Sequence, residues 1–571
     1  MSASRQVEGS RLALWLPMLR SSTPWLAVLA SVAVIFMIGL ARSEVDFTYQ
    51  DPDIRLVVIA VLASAILLRS SPVVLWLWWS WGALTLAWSL APGSTHVTSL
   101  WEVTYLAAFA AARWRPAVWL AVAWVVANGA FDLLALESTG LRHYVSGSAH
   151  YVAGALSLVL IPVALYEGLA AKKWTIGLLW AGCASLAIFV ALASGARAVY
   201  LPLAAILVTI AVRYVLWQGR RWRVATLVAG TVVTGVALMD MALPSSPVTS
   251  ALGVKASAQA QVEGTETYGV FAQRLRFWDQ TLEIAWKNPL GAGVGSYQAI
   301  VHAYQKYPML WSNSPHNYFV ETLATGGWPR LILLLVVLAL STWRTWRSDA
   351  WAWSLSALGI WTTFAFDVTS YYPSVMMFAF MALGASYYRG HEAGSVPPNS
   401  ATKNWSPKLA VLVIGQVACI ALAAWWFLPC SRPQCFLTRY HGAPYLAVRH
   451  VEASPDAQRG EVLARLRSLY PQSLWVLQLE QRYADGPASR LGIAVEIAER
   501  FPLQSPQNYL EWADAALALG DTDQAREAVL KGLEVFGPSD YPFGEHRLTH
   551  AMYEDWLAAA QAILDTTSQL Q

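Results

Sequence analysis

The stretch from Arg274 to Leu331 gathers residue types suited to moving a group onto a hydroxyl. It reads Arg274-Leu-Arg276-Phe-Trp278 and Glu283, then Asn288-Pro289-Leu-Gly291-Ala-Gly293-Val-Gly295, then Ser314-Pro315-His316-Asn317 with Glu321 and Gly326-Gly327. A neutral imidazole at His316 can accept the proton of an attacking hydroxyl. Guanidinium groups grip phosphate oxygens in pairs, which Lys cannot do. Arg274 and Arg276 are therefore candidates for holding an anionic leaving group, together with Arg197 in Ser194-Gly-Ala-Arg197. Asn317 and Glu321 follow His316 by one residue and by five, so Glu321 can orient the imidazole or bind substrate hydroxyls. Gly293 and Gly295 permit a tight turn, with a phosphate-binding nest as the weaker alternative. Plainer readings exist for each: a lone His is usually structural, and an Arg at the edge of a span can simply snorkel.

The elements that must position these residues are set by the bilayer. The chain has 571 residues, of which 56% are hydrophobic and only 13% charged, and its mean hydropathy is +0.41. A soluble protein of this length is far more polar. Thirty Trp and twenty-three Tyr, many near the ends of apolar runs, suit the headgroup zone. Apolar runs long enough to cross begin near Pro24, Ile54, Val73, Val97, Ala117, Tyr151, Trp174, Arg197, Trp222, Asn317, Ala350, Tyr372 and Pro407. The expected fold is all-α, a polytopic bundle of about 12–13 transmembrane helices.

Basic residues set the threading, because short cytoplasmic loops are rich in Lys and Arg. With the N-terminus inside, Arg69, Arg113 with Arg115, Lys172 with Lys173, Arg220 to Arg223, Arg344 with Arg347, and Lys403 with Lys408 are all cytoplasmic. Four segments then fall outside: Arg42 to Asp53, Glu137 to His150, Leu243 to Pro315, and everything after Leu428. A connection as long as the third is usually functional or disordered, and it holds the residues above. The N-terminal Arg5, Arg11 and Arg20 precede an apolar run without a small-residue cleavage site, so that run is expected to be retained as a span. The net charge of +3 is spread along the chain and gives no reason to expect nucleic acid.

Two domains are expected: 1–429 in the membrane, with 244–316 as its long catalytic loop, and 430–571 outside it. From about Cys430 the composition turns to Glu-, Arg- and Ala-rich amphipathic helix. Trp512-Ala-Asp-Ala-Ala-Leu-Ala-Leu-Gly-Asp-Thr-Asp-Gln-Ala-Arg resembles a tetratricopeptide helix hairpin, with fainter pairs at Asp456 to Ala484 and Pro487 to Phe501. A TPR-like solenoid that holds a protein partner or steadies the long loop is one reading; a helical cap without a partner is the other. Cys183 and Cys419 lie in apolar runs and act as small hydrophobes. Cys430 and Cys435 flank a short loop and can bridge if that side is oxidising.

The order of elements from Arg274 to Gly327 resembles the O-antigen ligase family, which includes the O-antigen polymerases and the bacterial O-linked protein oligosaccharyltransferases. The match consists of an Arg ahead of Trp278, Asn288-Pro289 before a Gly-rich turn, His316-Asn317 opening a span with Gly downstream, and Ser194-Gly-Ala-Arg197 at the external start of another span. Only one of Arg274 and Arg276 can meet the motif's spacing to Trp278. Members often carry an Asn before the span that here begins at Tyr151, where this chain has His150. The resemblance implies an undecaprenyl-diphosphate-linked glycan as donor and a lipid, a growing glycan or a protein hydroxyl as acceptor, at the outer face of a bacterial inner membrane. It implies inversion without a metal or other cofactor: His316 acts as base while Arg197, Arg274 and Arg276 hold the departing diphosphate, and Trp278, Asn317, Glu321, Gly293 and Gly295 support them.

Two rivals remain at this stage. Glu44-Val-Asp46 and Asp51-Pro-Asp53 resemble the metal-binding carboxylates of polyprenyl-phosphate-dependent glycosyltransferases. A flippase for the same carrier would also have many spans, although transporters normally carry charges well inside them and these runs read as nearly charge-free.

Overall fold

The computed structural model describes residues 71–113, 118, 150–194, 197–213, 230–234, 270–348, 350–371, 373–392, 451–452, 454–537 and 550–570. Among the described residues every regular element is helical. The membrane part contains α1 (Val73–Leu84), α2 (Pro92–Ala111), α3 (His150–Ala170), α4 (Trp174–Ala193) and α5 (Arg197–Val212). After these come α6 (Val270–Lys287), the single turn α7 (Tyr297–Ile300), α8 (Tyr318–Trp346), α9 (Trp351–Thr363) and α10 (Pro373–Glu392). Eight of them coincide with apolar runs read from the sequence; the runs that begin at Pro24, Ile54, Ala117, Trp222 and Pro407 start outside the described residues, as do Cys419, Cys430 and Cys435.

Three helices in the described part are long and apolar enough to cross a bilayer: Val152–Ala170, Trp174–Leu192 and Tyr318–Trp346. Val73–Trp88 and Ala198–Val212 are shorter apolar helices. The difference from the sequence reading lies in length as well as composition. At 13 residues, α9 reaches only about 20 Å, short of the roughly 30 Å hydrocarbon core.

Side-chain contacts fix the register of the bundle. Ser356 Oγ donates to the Val159 carbonyl at 2.7 Å, and Tyr166 lies edge-on to Trp351 at 6.1 Å, so α3 and α9 are antiparallel. The Arg213 guanidinium lies over the rings of Trp346 at 5.5 Å and Trp351 at 4.9 Å, while Gly359 packs against Ile206. Both contacts require α5 to run antiparallel to α9. Continued by the same register, the first residue of α5, Arg197, comes level with the turn that follows Thr363. Gly154 of α3 packs on Ser194 and Val199 at that end, which brings the starts of α3 and α5 together there.

The interior is aromatic. Trp361 meets Phe364 at 5.2 Å and Phe380 at 5.4 Å, and Trp78 meets Phe380 at 5.3 Å. It is also charged, contrary to the sequence reading of nearly charge-free spans. Arg330 of α8 pairs with Glu102 of α2, each side chain 3% exposed, and its guanidinium lies 4.5 Å over Trp78. Two residues far apart in the chain neutralise each other, so neither alone signals the pair in a hydropathy profile. Gly82 makes room for it, since a Cβ there would fall 2.1 Å from an Arg330 nitrogen.

The C-terminal part is α11 (Asp456–Leu469), α12 (Leu474–Arg482), α13 (Pro487–Arg500), α14 (Gln507–Leu517), α15 (Thr522–Phe536) and α16 (His550–Leu570), each packed on the next. Between α14 and α15, Gly520 takes φ 77° and Asp521 caps the following helix by accepting from the Gln524 N–H at 2.9 Å. The Ala-Leu-Gly-Asp sequence thus ends one helix with a left-handed residue and starts the next with a carboxylate cap. This part is seated on the long loop: the Leu503 carbonyl accepts from Met309 N–H at 2.7 Å and from Gln305 Nε2 at 2.8 Å. The His302, Trp311 and Trp475 rings close the same seam, with His302 and Trp311 4.1 Å apart.

Candidate functional site

His316 stands at the mouth of α8 in a left-handed backbone conformation, φ 56°. Few residues other than glycine accept this geometry, and it persists only where the surroundings impose it. Three neighbours impose it here. Ser314 Oγ accepts from the His316 N–H at 3.0 Å. Asn317 then takes extended angles and caps α8, its Oδ1 accepting from the Phe319 and Val320 N–H groups at 3.0 and 3.1 Å. From above, the imidazole is stacked on Phe277 of α6 at 6.1 Å with an interplanar angle of 18°. Replacing Asn317 with Ala is expected to cost about 1 kcal/mol of stability through the lost cap, read as a lower unfolding midpoint in detergent.

Helix α6 holds the site from the loop side. Trp278 Nε1 donates to the Pro315 carbonyl at 2.8 Å, directly before His316. One turn earlier, Arg274 donates through Nη1 to the Phe366 carbonyl and lies in the field of Asp367. Burial pushes the Asp367 carboxyl up from the ordinary aspartate value, against the opposing pull of the Val368 N–H and the Arg274 charge. Residues four apart share a helix face, so Arg274 and Trp278 point toward the mouth of α8 together. Arg276 does not join them; it lies over the Tyr307 ring at 5.0 Å on the opposite flank. The structure gathers Arg274, Trp278 and His316 at one pole of the bundle, and the backbone register of α5 brings its first residue, Arg197, level with the Phe366–Asp367 turn there.

Glu321, one turn into α8, is buried, and its Oε2 accepts from the Tyr371 hydroxyl at 2.7 Å. With Glu102, Tyr105, Tyr318, Arg330 and Tyr371 it lines a cavity of about 50 Å³, room for a few water molecules. Sequence reasoning missed Asp367, Tyr371 and the Glu102–Arg330 pair. They lie in different helices or turns, and no local spacing links them to His316.

The glycine-rich turn explains the shape of α8. Gly327 breaks that helix at φ 76°, ψ 176°, and Pro329 has no N–H to donate, so carbonyls of the preceding turn are freed. The Ala324 carbonyl accepts from Ala292 N–H at 3.0 Å and the Thr325 carbonyl from Gly293 N–H at 2.8 Å, while Trp328 N–H returns to the Pro289 carbonyl at 3.1 Å. Gly291, Gly293 and Gly295 take φ values of 99°, 109° and 70°. The Gly291 N–H bonds to Asn288, that of Val294 to Thr85 and that of Ser296 to Gly293, so these amides are already occupied and the turn is a brace for the helix rather than a phosphate nest. A Cβ on Gly327 would lie 2.4 Å from the Leu290 carbonyl carbon. Gly327→Ala is expected to destabilise by about 1–3 kcal/mol, visible as a lowered thermal midpoint in detergent.

Residues 182–335 match the family model described as O-antigen ligase. Over this segment the chain is similar to the O-antigen ligase family. The matched residues run from α4 through the kink of α8, so the ligase segment includes Arg197, Arg274, the glycine turn, His316 and Arg330, while Glu102 and Asp367 lie outside it. No curated protein matches the chain. The ligase-like segment and the apolar helices together support a membrane protein with a glycan-ligase type of role.

Proposed function

We propose that this ligase transfers a glycan from an undecaprenyl-diphosphate carrier to an acceptor hydroxyl at the outer face of a bacterial cytoplasmic membrane. The observation that carries the reading is the strained His316, clamped by Phe277 and Trp278 of the helix that also brings Arg274 to the same mouth. The neutral imidazole takes the proton of the acceptor hydroxyl as its oxygen attacks the anomeric carbon. The bond from that carbon to the diphosphate oxygen breaks, and its electron pair leaves with the diphosphate. Arg197 and Arg274 hold the growing charge, which is where preorganised electrostatics has its largest effect. Attack from the face opposite the leaving group inverts the anomeric centre. No metal or other cofactor enters this scheme, because the donor is already activated.

In this reading the N-terminus is cytoplasmic, and 430–571 forms a TPR-like domain on the outer side that steadies the loop ahead of His316 and offers a surface to a protein partner. The seam at Leu503, Met309 and Gln305 supports that role. Membrane lipids complete the surroundings, and lipid, growing glycan and protein hydroxyl remain competing acceptors. The acidic loop of the metal-dependent alternative, Asp51 with Asp53, lies outside the described residues. The buried Glu102–Arg330 pair favours a second reading as a flippase, since charges inside a bundle often mark transport paths. Purified protein in liposomes with lipid-linked glycan and each acceptor class separates them. The ligase transfers glycan in the presence of chelator, the metal-dependent enzyme stops with chelator, and the flippase moves carrier without transfer.

A further inference from the structure

Helix α6 presents three distinct faces. Phe277, Gln280, Thr281 and Ile284 are buried against the protein. Asp279, Glu283 and Lys287 form a charged flank, where Lys306 bridges Asp279 at 3.1 Å and Glu283 at 3.4 Å and Lys287 pairs with Glu283. Opposite the buried face lie Leu275, Leu282 and Trp286, all exposed, Trp286 to 70%. Their spacing of seven and four residues places them in one stripe. An exposed Leu-Leu-Trp stripe on a helix with a charged flank and a buried back is the pattern of a helix lying in a membrane interface.

The stripe does not end with the helix. Leu290 continues it, and the Trp286 ring lies 6.3 Å from Trp328 of α8. From Trp328 the exposed apolar residues Ile332, Leu335, Val336, Leu340 and Trp343 run down one face of the helix that is long enough to cross the membrane. The sixteen residues from Trp328 to Trp343 span about 22 Å, and Arg347 lies 4.1 Å over the Trp343 ring, so the far end is aromatic and basic, as a cytoplasmic interface is. The apolar band of α6 is thus continuous with a lipid-facing surface and sits just beyond its outer tryptophan.

We propose that α6 is an interfacial helix whose Leu275, Leu282 and Trp286 are immersed in the acyl-chain boundary of the outer leaflet, which holds Arg274 at the depth of lipid headgroups. The occupant of the stripe is bilayer lipid, because the surface it extends is the exposed apolar face of a helix long enough to cross the membrane. That Arg274 meets a donor diphosphate there rests on the proposed function; the position of the helix does not.

The test uses the full-length chain with its four cysteines replaced by Ser, reconstituted in phosphatidylethanolamine–phosphatidylglycerol vesicles. Single cysteines carrying nitroxides are placed at 282, at 286, and on the flank at 283 and 287. Electron paramagnetic resonance then compares collisions with oxygen, which concentrates in the bilayer, and with a water-soluble nickel chelate. The proposal expects labels at 282 and 286 to meet oxygen at least about threefold more than nickel relative to labels at 283 and 287. Equal nickel access at all four positions would overturn it by placing the stripe in water. Shielding of 282 and 286 from both reagents would overturn it by placing a protein, or a second copy of this chain, on the stripe. Because the readout needs no turnover, loss of the ligase assignment would leave the result standing.

Discussion

Replacing His316 with Asn is expected to reduce glycan transfer by about 10²–10⁴-fold, the usual contribution of a positioned general base, while the protein stays folded. Asn is the informative substitute because it tolerates the left-handed backbone that His316 adopts better than most residues. His316→Ala removes the same imidazole but adds the strain of a left-handed Ala, so agreement between the two variants isolates the chemical loss from the structural one. Neither substitution touches the Asn317 cap or the Trp278 bond to Pro315, so the detergent unfolding midpoint of His316→Asn should move little and that of His316→Ala should fall only by its backbone strain. The comparison is of kcat in reconstituted protein at saturating donor. A purely structural His316 would instead lower the unfolding midpoint and leave the turnover of the folded fraction unchanged.

The second large effect is expected at Arg274. Arg274→Ala should lower kcat by about 10²–10³-fold, the loss seen when one preorganised group facing developing negative charge is removed. Arg274→Lys should recover only part of that loss. An ammonium keeps the charge but cannot bond the Phe366 carbonyl and face a phosphate with a second planar edge at once. Arg276 supplies the control. It lies over Tyr307 on the other flank of α6, so Arg276→Ala should change turnover by less than about fivefold, as expected for a half-exposed cation–π contact. If the two arginines gave equal losses, the division of roles drawn from the helix faces would be wrong.

How much of this was legible beforehand depends on the range over which each feature acts. His316-Asn317, the glycines and Trp278 are local patterns, and each has a local cause: a left-handed residue with its cap, a turn that braces a broken helix, and a ring that bonds the residue before His316. Apolar runs likewise report their helices directly, because burial in lipid or among helices demands a continuous apolar surface. The choice between Arg274 and Arg276 was not legible. Two residues apart on a helix, they point to opposite flanks, and only the position of the Phe366–Asp367 turn and of Tyr307 distinguishes them. Glu102 and Arg330 were hidden for a similar reason, since a charge in an apolar run reads as an isolated exception until its partner is found across the bundle. The interfacial stripe of α6 was masked by its charged neighbours, which interrupt it in sequence but not on the helix surface.

The most direct measurement follows the leaving group. Purified protein in liposomes, given lipid-linked glycan, should release one undecaprenyl diphosphate for each glycan that appears on the acceptor, and His316→Asn should reduce both together by the same factor. Transfer that releases undecaprenyl monophosphate, or release that persists unchanged in the variant, would contradict the account.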